Sequence, residues 1–145
     1  MPDLLLNLKF VLPFLLIINV LTVLLYRKNL RYIKGPVIFF IILFGVFLGY
    51  RFLIFPVQQE KVQASRQAEI QKQKWDYLND PEKDAAFAKQ EINYQQNNLA
   101  LFRITGLQAA FSAIFSCLGL FLAPDKKVHA GFAMGFFLLA FLFLT

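Results

Sequence analysis

The chain has 145 residues, of which 58% are hydrophobic, above the roughly 45–50% apolar share of ordinary soluble domains. That excludes a plain water-soluble globular domain. The formal charge of +6 and pI near 9.6 do not indicate a nucleic-acid binder, because Lys and Arg sit at the ends of apolar runs rather than on one solvated face.

Residues 4–26 form the first apolar run, charged only at Lys9 and interrupted by Asn7, Pro13, Asn19 and Thr22. A helix of ~20 residues crosses a ~30 Å hydrocarbon core, so the run is expected to be a transmembrane helix. Met1-Pro2-Asp3 lacks the basic start of a signal peptide, so this span is expected to be permanent. Asn19 and Thr22 lie three apart on one face. They are expected to hydrogen-bond a neighbouring helix; the alternative is a polar path through the membrane.

Arg27, Lys28, Arg31 and Lys34 follow with no acid among them. By the positive-inside rule this connection is cytoplasmic and the N-terminus lies outside. Residues 36–55 are the second span, expected to end at Pro56 and carrying Gly45 and Gly49, a spacing that lets another helix approach closely. Arg51 is expected to snorkel to the headgroups beside Tyr50.

Residues 57–98 are polar and balanced, with six Lys and Arg against seven Asp and Glu, no glycine, and Pro81 as the only proline. The absence of glycine favours helix over coil. Asp80 can cap a helix that starts at Pro81, so two helices meeting near residues 79–81 are predicted to form an antiparallel hairpin. The predicted seam follows alternating four-three spacing: Val57, Lys61, Ala64, Ala68, Gln71, Trp75 and Leu78 on one arm, and Ala85, Ala88, Ile92, Gln95, Leu99 and Phe102 on the other. Trp75, Tyr77 and Leu78 cluster at the tip and Phe87 follows on the return arm. These four are the candidate partner-binding residues, because aromatic side chains bury large rigid surfaces; the alternative is that they close the end of the hairpin, since Trp75 also fits the seam.

Residues 103–123 form the third span, with small residues along one side. Ala109 and Ala113 are expected to pack against Gly45 and Gly49. Gln108, Ser112 and Ser116 make a polar stripe, read as interhelical bonds or, alternatively, as the lining of a carrier or channel together with Asn19 and Thr22. Asp125, Lys126 and Lys127 mark a second cytoplasmic turn. Residues 128–145 are the last span, with Gly131 and Gly135 as a second close-approach pair. The 18 phenylalanines are spread through all the apolar runs and are expected to be lipid-facing bulk.

The expected fold is therefore an all-α integral membrane protein with four transmembrane helices and an extramembrane helical hairpin between the second and third. The chain divides into a helix pair at 1–56, the hairpin at 57–98 and a second helix pair at 99–145. No acid lies inside a span, and no G-x-S-x-G, Walker or G-x-G-x-x-G motif occurs. The single Cys117 can form no intramolecular disulfide. A non-catalytic accessory, assembly or scaffold subunit is expected, with no metal or cofactor. Its partners are the lipid bilayer and a membrane or periplasmic protein or a second copy of itself. The expected site is a bacterial inner membrane, with both termini and the hairpin on the periplasmic side. The one residue that could serve a haem- or quinone-binding subunit is His129, which is otherwise expected in the inner headgroup layer.

Overall fold

The structure, a computed structural model, describes residues 8–28, 30–72 and 81–145. In chain order they form α1 (Leu8–Leu25), α2 (Lys34–Gly49), a π-helical turn (Tyr50–Ile54), α3 (Phe55–Lys72), α4 (Pro81–Leu122) and α5 (Lys126–Leu144). No strand occurs among the described residues.

α4 is a single helix of 42 residues, about 63 Å long at 1.5 Å rise per residue. The polar return arm and the apolar segment after it are one rod, because neither Gly nor Pro falls between Pro81 and Gly106. Glu82 and Asp84 in its first turn complement the helix dipole.

α2, the π turn and α3 are likewise helical without interruption. The expected end at Pro56 does not occur. A proline inside a helix lacks its N–H and crowds the carbonyl four residues back. Here the backbone widens just before it: the Phe55 N–H reaches the Tyr50 carbonyl, five residues back. The wide turn lets the chain pass through Pro56 as helix.

Three segments are long and apolar enough to cross a membrane: residues 34–68, α4 and α5. α1 is apolar but shorter, so three of the four expected spans meet the requirement of length and composition. α4 is the central element. α2 runs antiparallel to it, α5 folds back along its C-terminal half, and α1 packs on α2 and α4.

Phenylalanine fills these contacts rather than serving only as outer bulk. Phe40 lies edge-on to Phe136 with ring centroids 5.1 Å apart, over a core of Ala109, Ala113 and Ala140. One layer further along, Phe47, Phe102 and Phe143 meet at 5.7 Å for Phe47–Phe102 and 4.7 Å for Phe102–Phe143. Edge-on and tilted aromatic pairs suit the ring quadrupole and add to plain area burial. The small alanines on α4 are what make room for these rings.

Aromatic filling also moves the close backbone approaches. Added Cβ atoms at Gly45, Gly49, Gly131 and Gly135 would meet nothing within 4 Å. These four glycines face outward, and Ala109 and Ala113 pack against Phe40 and Phe136 instead. The tight contacts are at Gly35, Gly106 and Gly119. A Cβ on Gly35 would lie 2.6 Å from the Val23 nitrogen, and one on Gly106 would lie 2.7 Å from the Phe143 Cβ.

α3 lies along the N-terminal arm of α4, tied by an Arg66–Asp84 ion pair. The facing side chains are largely not the predicted seam: its Val57, Lys61, Ala64, Ala68, Gln71, Ala85, Ala88, Ile92, Gln95 and Leu99 are exposed, Trp75 and Leu78 lie outside the described residues, and Phe102 is half-buried against Phe47 of α2. Half-buried Gln59, Val62, Phe87 and Tyr94 line a cavity of about 30 Å³ between the arms. Two causes set this register. Phe87 and Tyr94, seven apart, bury more surface than alanines, and the π turn takes up one residue, so the face α2 turns toward α4 continues at Phe55, Gln59, Val62 and Arg66.

Candidate functional site

The strongest concentration of polar groups is inside the apolar half of the molecule. Thr105, Gln108, Ser112 and Ser116 recur at three- and four-residue intervals, which places them on one face of α4. Each is at most 1% exposed, and Asn19 of α1 is fully buried opposite them.

Asn19 and Gln108 form a reciprocal carboxamide pair. Asn19 Nδ2 donates to Gln108 Oε1 at 2.9 Å, and Gln108 Nε2 donates to Asn19 Oδ1 at 2.9 Å. The second N–H of Asn19 goes to the Leu15 carbonyl at 2.7 Å, and that of Gln108 to the Pro36 carbonyl at 3.2 Å. The Ser112 hydroxyl lies 2.9 Å from the Gln108 carbonyl and 3.2 Å from that of Pro36, so its one proton is shared between them. Pro36 thus offers α2 as a third partner to the α1–α4 pair.

The accounting closes. Both carboxamides use all their N–H donors, and Ser116 and Thr105 return their protons to α4 carbonyls at 2.7 and 2.8 Å. Thr22 bonds only to carbonyls of its own helix. These donors are all taken within the protein, and the bonds clamp three helices together.

His129 differs from this network. It is 0% exposed, and neither ring nitrogen has a hydrogen-bond partner. It is enclosed by protein: the imidazole lies in a notch at Gly119, where a Cβ would overlap Nδ1. Burying an unpaired polar group costs about 1–3 kcal/mol, so the ring is held by shape against its own polarity. Among the described residues no group of three or more His, Cys, Asp or Glu converges.

Of the partner-binding candidates, Phe87 is half-buried on the cavity between the arms, while Trp75, Tyr77 and Leu78 lie outside the described residues. Arg51 is exposed, with its guanidinium carbon 5.0 Å from the Phe55 ring centroid, a cation–π contact. Thr105, the Pro36 carbonyl, and the notches at Gly35 and Gly119 escaped the sequence reading. Thr105 had a signal, since it sits three residues before Gln108 on the same stripe. The carbonyl had none, because any helical residue carries one.

The chain matches no known protein family, no curated protein and no solved structure.

Proposed function

We propose that this chain is a four-span integral membrane protein whose α3–α4 arms hold a partner protein, acting as a non-catalytic accessory, assembly or scaffold subunit. One observation carries the reading: no described side chain from residue 55 to residue 99 is buried. Among the described residues the two polar helices meet through contacts that include the Arg66–Asp84 ion pair and half-buried side chains such as Val62 and Phe87, with almost no buried core. An exposed ion pair adds about 0–1 kcal/mol, so the arms gain most by being covered. A partner that packs on them supplies the missing burial.

Membrane placement is supported by the outer surface of the other half. Phe121 is 85% exposed and Leu25 is 80% exposed, an arrangement suited to lipid rather than water. α1 counts as the fourth span: its 18 residues reach about 27 Å, close to the hydrocarbon thickness. The basic connection before α2 and the Lys126-Lys127 turn lie at the same end, which becomes cytoplasmic by the positive-inside rule and leaves the arms periplasmic in a bacterial inner membrane.

Photocrosslinking residues at positions 75 and 87 in native membranes test the partner. A discrete adduct with another protein, or with a second copy of this chain, is expected. Adducts with lipid or water alone would remove the scaffold reading.

A further inference from the structure

α4 and α5 enclose a groove of about 550 Å³ on their outer side. Its floor is made of small residues, Ala110, Ala113, Cys117 and Ala140, where the two helices are narrow, and Phe121 and Phe137 stand up as walls. Apart from the Cys117 thiol and Thr145 its lining is apolar.

We propose that this groove seats one acyl chain of an anionic phospholipid whose phosphate rests on Lys126 and Lys127. The proposal rests on the membrane placement given above. Shape argues for a flexible chain, because the groove is long, open along its side and without the polar anchors that fix a compact ligand. Charge selects the headgroup. Lys126 precedes Phe137 by eleven residues, about three helical turns, which puts it on the wall's own stripe. Both lysines are exposed, and Asp125 is the only acid after Glu91. The α4 wall of the groove ends at Phe121, five residues before Lys126, so the apolar trough opens toward a cationic turn. A neutral headgroup would use only the trough. An anionic one uses both, since basic residues at a membrane surface attract acidic lipids.

The test uses the full chain in nanodiscs with two photoactivatable lipids carrying a diazirine in one acyl chain, one with a phosphatidylglycerol head and one with phosphatidylcholine. Crosslinks are mapped by peptide mass spectrometry. The anionic probe is expected to label residues 110–121 and 137–144 about thirtyfold more than the neutral probe, the order that two lysines provide. Both probes should label the outward faces of α1 and α2 equally. Lys126→Gln with Lys127→Gln should abolish the preference and leave α1 and α2 labelling unchanged. Cys117→Trp, which fills the groove from an exposed position, should lower groove labelling by both probes. Equal groove labelling by the two headgroups overturns the lipid site. So does a groove shielded from both probes by a second copy of the chain, seen as an α4–α5 crosslink between copies. Absence of label on every helix removes the membrane placement and the lipid site with it.

Discussion

The Asn19–Gln108 pair is stable because each amide completes the other, and that reciprocity makes a sharp prediction. Asn19→Leu or Gln108→Leu alone strands a buried carboxamide and should cost about 1–3 kcal/mol. The double substitution removes both polar groups and should recover most of that loss, giving a strongly non-additive cycle. Denaturant titration in mixed micelles measures it; additive losses would mean that the two amides do not meet. His129 predicts the opposite sign. With no partner for either ring nitrogen, His129→Leu should stabilise the fold by about 1 kcal/mol, whereas Gly119→Ala should destabilise it by about 1–3 kcal/mol through overlap with the ring. A loss of stability in His129→Leu would reveal a polar contact at the imidazole. The polar stripe on α4 could be read from spacing alone. The burial of His129 could not, because it depends on a notch made by a glycine on the facing helix, and no local pattern in α5 announces it.

Among the elements, the apolar runs and the long polar pair were legible because length, hydropathy and the lack of glycine are properties of a segment by itself. The facing surfaces were less so. Regular four-three counting assumes a uniform α-helix, and the Tyr50–Ile54 turn breaks that uniformity by one residue. The two glycine pairs failed as contact markers for a related reason. Close approach was possible at Gly45 and Gly49, but Phe40, Phe44 and Phe47 on the same helix offered more burial and turned the other face inward. The register can be tested with Val62→Cys and Phe87→Cys, whose parent side chains line one cavity, in a Cys117→Ser background. A disulfide between them is expected on oxidation. It should survive deletion of Leu53, which removes the extra residue of the π turn, and vanish when one alanine is inserted after Ile54, which rotates α3 by about 100°. Survival in the insertion variant would contradict the role assigned to the π turn.

At the scale of the whole molecule, the predicted sidedness follows from where the cations gather. Single cysteines replacing Ile70 and Arg31, in the Cys117→Ser background, separate the two orientations. An impermeant thiol reagent applied from outside should modify position 70 and spare position 31; the reverse pattern inverts the protein and places the arms in the cytoplasm. The all-helical class, the positions of the apolar helices and the expectation that Asn19 and Gln108 bond to neighbouring helices were therefore readable in the sequence, while the particular contact that holds α1 in place was not. That contact joins residues 19, 36 and 108, and only the folded chain shows which of many polar side chains meet.

The unbroken course of α4 has a mechanical meaning. An arm about 30 Å long, turned through 10°, sweeps its tip by about 5 Å, and the one glycine of α4 between the arm and the clamp, Gly106, is packed tightly against Phe143 and Leu144. The helix is a stiff lever with its fulcrum among the packed helices. A load applied to the arms is delivered as torque to Gln108 and Ser112, so a partner that tilts the rod pulls directly on the bonds that fasten α1 and α2.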